Sequence, residues 1–233
     1  MYCHREVFAK NKVLFHGQSE ERNRLNEELL TLRSQDSDAF LERIFAMNDG
    51  RDHVGFKIFQ GQNDAVLARL LEDPAIGKIV LYRRNVLAAY SSALAAKETG
   101  VWGAKASTRL AKRPKVRFAA ANFVKFHDRR VQFYRECAAR IVAARQQFHW
   151  IEYESLNEPA KMLNLLAFIG VKAGKPKDAE FVERRPAINV CGRFENAAEA
   201  EAFLRDHGLA HWAYEGEALL KTFDVDMLDF DEP

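Results

Sequence analysis

Long hydrophobic runs are missing from this chain. No apolar stretch approaches the ~20 residues that cross a bilayer, and the opening MYCHREVFAKNK carries charges from residue 4 without a hydrophobic signal core. Stable membrane insertion and a secretory leader are therefore not expected, and the location read from the sequence is the cytoplasm. Cysteine is scarce as well. Cys3, Cys137 and Cys191 are odd in number, far apart and without metal spacing, which excludes a disulfide framework and fits a reducing compartment. His127, His149 and His211 have no ligand partners at useful spacing, so no metal is implied. With 12 glycines and 6 prolines in 233 residues, there is no low-complexity tract, and no internal repeat is found. The net charge of +2 is too small to argue for a nucleic-acid partner.

What is present is a chain long enough to bury a core, 48% hydrophobic and 29% charged. Its charge is unevenly spread. Lys105, Arg109, Lys112, Arg113, Lys115 and Arg117 follow one another with no acid between them, and 224–233 form an acidic tail. The organisation expected is one domain over 1–233, with a basic loop at 103–117 and a C-terminal segment at 209–233. The basic loop is most simply a solvated charge run. Read instead as a nucleic-acid patch, it predicts binding that falls steeply with salt.

Periodicity supplies the elements. Leucines 25, 29 and 32 recur at helical spacing within 19–33, and Phe40, Ile44 and Met47 do so after a capping Asp36 or Ser37. HVGFKIFQ at 53–60 reads as a buried strand. NDAVLARLLEDP then reads as a helix opened by Asn63 or Asp64 and stopped by Pro74. KIVLYR is a second strand, and NVLAAYSSALAAKE a helix ending near Gly100. A long helix is expected from about Arg117 to Arg145, a third strand in FHWIEYE, and further helices over 157–170 and 196–208, with 171–195 irregular. Continuous apolar strands alternating with helices predict an α/β fold: a parallel central sheet covered by helices on both faces.

Arg83 and Arg84 stand on the seam between the second strand and its helix. In such a sheet, ligands bind beyond the carboxyl ends of the strands, where the next helix begins with unpaired N–H groups. Arg84 and Ser92 are eight residues apart. A helix starting at Asn85 could carry both toward one phosphate, the guanidinium supplying a fork and the serine a further hydrogen bond. Alternation along the strand sends Arg83 to the other side.

A strand, Arg-Asn, six residues and a serine resemble the 3′-phosphate-binding segment of sulfotransferases that use 3′-phosphoadenosine 5′-phosphosulfate. In the same order, VGFKIF, VLARLLEDP, IVLYRRNVLAAYSSALAAKETGVW and IEYESLNEPAKMLNLLAFIGV look like bacterial carbohydrate sulfotransferases of the nodulation-factor and trehalose type. CHREVF is similar to the segment that carries a glutamate proposed there as general base. The likeness covers most of 3–208. It implies a P-loop-like sulfotransferase fold, N-terminally incomplete: the strand and Ser/Thr/Gly-rich loop that cradle the 5′-phosphosulfate have no counterpart before Cys3. Gln62 also stands where many relatives have His.

The resemblance implies transfer of a sulfuryl group from 3′-phosphoadenosine 5′-phosphosulfate to a hydroxyl of a carbohydrate or glycolipid. Arg84 and Ser92 would anchor the donor's 3′-phosphate and Glu6 would act as the base, with no metal. The rival expectation is a catalytically inactive relative that serves as a binding or interaction protein. A homo-oligomer is compatible with either. Lys57, Arg184 and Arg185 could lend charge to the nucleotide, but nothing in their surroundings requires it.

Overall fold

The computed structural model describes residues 1–15, 21–102, 114–171 and 188–215. In chain order these residues form β1 (Tyr2–Glu6), α1 (Glu21–Gln35), α2 (Ser37–Ala46), β2 (Val54–Lys57), α3 (Asp64–Glu72), β3 (Lys78–Tyr82), α4 (Val86–Thr99) and α5 (Ala120–Ala143). They continue with β4 (Phe148–Glu152), α6 (Pro159–Phe168), β5 (Ile188–Asn189), α7 (Ala197–Asp206) and β6 (Tyr214–Glu215). The chain is mixed α/β, and no described helix is long and apolar enough to cross a membrane. Contacts group into two compact units. The first holds Met1–Ile79, Phe133–His149 and Asn164–Ala173; the second holds Val80–Gln132, Trp150–Leu163 and Gly174–Pro233.

The expected single parallel sheet needs correction. Among the described residues the strands pair two by two: β1 with β2 in parallel, β3 with β4, and β5 with β6 antiparallel. The physical reason is visible in β3. Its apolar run suggests burial on both faces, yet Lys78 is buried while Ile79 and Leu81 are exposed. β1 is a further departure, because its polar sequence gives no strand signal of its own. It becomes a strand by pairing with β2, Tyr2 opposite Val54 and Glu6 opposite Lys57, with the register slipping between Cys3 and Glu6. The long helix begins at Ala120 rather than near Arg117.

In the first unit, side-chain caps set the helix starts. Asp36 accepts hydrogen bonds from the amides of Asp38 and Ala39, at 2.9 and 3.0 Å. Asn63 accepts from Val66 N at 3.0 Å. The core packs Val7, Phe8, Val13 and Phe15 against Leu29, Phe40, Leu41, Ile44, Val66 and Leu70. The Phe8 and Phe40 rings meet edge to face at 5.3 Å. Two ionisable groups are buried here and satisfied by neutral partners. His4 Nε2 lies 3.2 and 3.1 Å from the carbonyls of Ile44 and Met47, at the end of α2. Lys78 donates to the Asp73 carbonyl and, at 3.1 Å, to Gln146.

In the second unit α4 is apolar on nearly every side and correspondingly buried from Val86 to Ser91. Tyr90 sits among Phe118, Phe123, Phe126 and Phe194, with ring centroids 5.4–6.4 Å apart. Asn196 closes the segment before α5 by accepting from Phe118 N at 2.8 Å and donating to Phe118 O at 3.0 Å. Gly100, with φ of +71°, ends α4 in the left-handed conformation that glycine adopts at least cost.

Candidate functional site

The seam between β3 and α4 is organised by Asn85. Its Oδ1 caps α4 by accepting from Ala88 N at 2.8 Å. Its Nδ2 donates to the carbonyls of Trp212 and Tyr214, at 3.1 and 2.8 Å. One side chain thus starts the helix and holds the segment that ends at Glu215.

Glu215 meets two arginines. Arg83 grips it with a fork, Nε to Oε1 at 2.6 Å and Nη2 to Oε2 at 2.6 Å. Arg193 Nη2 donates to the same Oε2 at 3.0 Å. The side chains of Arg83 and Glu215 are only 16% and 12% exposed, so these are largely desolvated, charge-assisted bonds. The remaining Arg83 nitrogen, Nη1, donates to Ser92 Oγ at 3.1 Å, and Arg193 Nη1 lies 3.4 Å from Ser91 Oγ. Both serine hydroxyls donate back to the Ala88 carbonyl, at 2.9 and 2.8 Å. The Tyr153 ring lies under the Arg83 guanidinium at 4.8 Å, a cation–π contact that helps fix its plane.

A second carboxyl completes the cluster. Glu154 has both oxygens shut off from solvent. Arg83 Nε stands 3.8 Å away. Burial pushes its carboxyl up to about 7, and the neighbouring Glu215 and Glu152 carboxylates act in the same direction. For Glu215, burial alone would raise the value, but Arg83 and Arg193 outweigh it and hold this carboxyl below the ordinary range. The cluster therefore pairs one firm carboxylate, Glu215, with one carboxyl of raised proton affinity, Glu154, beside two guanidiniums and two hydroxyls. Such a set can bind an oxyanion or store a proton.

The two neighbours on the seam part company, as strand alternation requires, but in the opposite sense to that expected. Arg83, not Arg84, meets Ser92. Arg84 turns to β4 and grips Glu152, with Nη2 to Oε2 at 3.0 Å and Nε to Oε1 at 2.9 Å; its side chain is 43% exposed. The inward face is chosen by Glu215, whose two oxygens match the Arg83 fork.

Glu6 lies in the first unit at the end of β1, half-buried, and its carbonyl accepts from the amides of Ala9 and Leu14, both at 3.2 Å. Lys57 is exposed opposite it, and Gln62 accepts from Phe59 N at 3.0 Å. Of the basic loop, Lys115 and Arg117 are exposed. Lys105, Arg109, Lys112, Arg113, Arg184, Arg185 and the acidic tail lie outside the described residues. Among the described residues no group of three or more His, Cys, Asp or Glu side chains is arranged to hold a metal ion.

Sequence reasoning missed Arg193, Glu215 and Glu154 as members of one site. Glu154 falls inside the IEYE stretch and could have been singled out there as an acid at a strand end. Arg193 and Glu215 carry no local signal, since their partners lie far away in the chain. No protein-family model, curated protein or solved structure matches the chain.

Proposed function

We propose that the chain is a sulfotransferase with a P-loop-like nucleotide-binding fold. It moves a sulfuryl group from 3′-phosphoadenosine 5′-phosphosulfate to a hydroxyl of a carbohydrate or glycolipid in the cytoplasm. The observation that carries this reading is the contact of Arg83 with Ser92 where β3 gives way to α4, 3.1 Å between guanidinium and hydroxyl. A guanidinium fork and a serine hydroxyl beside a helix start suit a phosphate monoester. The donor's 3′-phosphate is the group they would hold.

The chemistry is an in-line displacement. The acceptor oxygen forms a bond to sulfur as the bond from sulfur to the 5′-phosphate oxygen breaks, and adenosine 3′,5′-bisphosphate leaves. The acceptor's proton passes to Glu6, the base that the likeness suggests. Positioning and charge stabilisation supply most of the acceleration, as in phosphoryl transfer.

A second reading, a non-catalytic binding or interaction protein, draws on the occupation of Arg83 by Glu215. The two are separated by thermal-shift titration with adenosine 3′,5′-bisphosphate, followed by a transfer assay with labelled donor. The transferase reading expects a shift in wild type and in Arg84→Ala, and little in Arg83→Ala or Ser92→Ala. It expects Glu6→Gln to keep the shift but lose sulfuryl transfer. A shift that survives Arg83→Ala and vanishes in Arg84→Ala would return the anchor to the outer arginine. A shift with no transfer to any carbohydrate hydroxyl would favour the binding protein.

A further inference from the structure

We infer that Glu215 is the resident anion of an oxyanion site built by Arg83, Arg193, Ser91 and Ser92, and that a phosphate monoester enters by displacing its carboxylate. The inference rests on the proposed phosphate role of Arg83 and Ser92 and extends it to a second cation and a built-in competitor.

The donors all converge on one carboxylate. Three N–H groups from two arginines reach its two oxygens at 2.6, 2.6 and 3.0 Å. A phosphate offers the same pair of oxygens to the Arg83 fork and at least one more beyond them. The two serine hydroxyls each lie beside one of the guanidiniums, Ser92 Oγ 3.1 Å from Arg83 Nη1 and Ser91 Oγ 3.4 Å from Arg193 Nη1. Each now donates to the Ala88 carbonyl, and a hydroxyl can rotate its proton to another acceptor without moving its oxygen. Charge also favours exchange. A phosphate monoester carries about −1.5 to −2 near pH 7, which the two guanidiniums balance while the neighbouring Glu154 carboxyl, whose proton affinity is raised, stays protonated.

The Glu215 side chain can rotate away without moving the backbone that carries it. Among the described residues Glu215 lies in the two-residue strand Tyr214–Glu215, paired to Ile188–Asn189, and the backbone just before it is held by the Asn85 amide and by Val190 N. Swinging the carboxylate out breaks no helix and opens none of the aromatic core. The cations, in contrast, are fixed: Arg83 by the end of β3 and the Tyr153 ring, Arg193 by the short helical turn Cys191–Arg193, where Cys191 is fully buried.

The test is calorimetric titration of inorganic phosphate, and separately of adenosine 3′,5′-bisphosphate, into the full chain at constant ionic strength. A site whose open form is only partly populated binds more weakly by that fraction. Glu215→Gln is therefore expected to bind phosphate about tenfold or more tightly than wild type, and Glu215→Gln/Arg193→Gln to lose that gain. Should Glu215→Gln fail to fold, Glu215→Asp withdraws the carboxylate while keeping its charge and is expected to bind between the two. Equal affinity in wild type and the Glu215 variant, or a gain that persists without Arg193, would overturn the inference. Tighter phosphate binding without nucleotide binding upholds it and removes the donor reading. Nucleotide binding indifferent to Glu215 keeps the donor reading and removes the inference.

Discussion

The two compact units bury ionisable side chains in different ways. In the first, His4 and Lys78 are buried one at a time and hydrogen-bonded to neutral groups: backbone carbonyls, with Gln146 added for Lys78, on which the Asp73 carboxylate acts through its field alone. In the second, Arg83, Arg193, Glu215 and Glu154 are largely, not fully, shielded from solvent and answer charge with charge. A lone buried donor on a carbonyl pins two elements and holds no resident anion that an incoming ligand could displace. A cluster of opposite charges is poised differently, because any anion that matches the guanidiniums can replace the one already there. The comparison teaches that the second unit holds the exchangeable chemistry and the first the fixed geometry.

That contrast can be broken by mutation. The largest effect is expected from Glu215→Ala, which leaves two buried guanidiniums without their carboxylate. Removing one partner of a buried pair costs about 3–5 kcal/mol, read from the denaturant midpoint, and inorganic phosphate is expected to restore part of it. His4→Leu should cost less, about 1–3 kcal/mol, the penalty of taking the imidazole from the Met47 carbonyl, since Ile44 O keeps the Met47 amide, and phosphate should restore none of it. If the two variants respond alike to phosphate, the distinction between the units fails.

Asn85→Ala removes a helix cap worth about 1 kcal/mol and also releases the Trp212 and Tyr214 carbonyls. It is expected to weaken folding and to loosen Glu215, so that phosphate binds more tightly while stability falls. Arg84→Ala is expected to be the smallest, about 1 kcal/mol: the guanidinium is 43% exposed and screened, although its partner Glu152 is only 11% exposed. A loss comparable to that of Glu215→Ala would show that the outer arginine, too, belongs to the buried network.

The pH dependence sharpens the same point. The Glu154 carboxyl is raised from 4.5 to about 7 in the folded chain. A raised acid costs nothing while protonated in both states. Stability therefore falls as pH rises from about 4.5 and levels off above 7. Glu215 works in the opposite sense: its lowered value favours the folded state above 4.5, an advantage lost as pH falls through the folded value. Glu154→Gln is expected to remove the decline between these limits, measured by denaturation across that range, and to be more stable than wild type above pH 7. An unchanged profile would remove Glu154 from the cluster's titration.

Much of the fold is legible residue by residue. The caps Asp36, Asn63 and Asn85 and the stops at Gly100 and Gly208 lie within a few positions of the elements they bound, so they can be read locally. β1 could not be read this way, because a partner some fifty residues on makes it a strand. The site was half legible. Ser92 and a cation at the end of β3 follow from spacing and from the place of the seam. Which arginine turns inward does not, since alternation says only that the two must differ.

By itself, then, the amino-acid sequence determined most of the helices, the caps that open α2 and α3, and the presence of two cations where β3 becomes α4. These rest on interactions spanning a handful of residues, which any stretch of the chain carries with it. Only the tertiary structure decided that strands pair two by two, that Arg83 meets Ser92, and that Glu215 occupies the cations between them. Those outcomes depend on groups as much as 132 residues apart, and a preference across that distance exists only once folding has brought both ends to the same place.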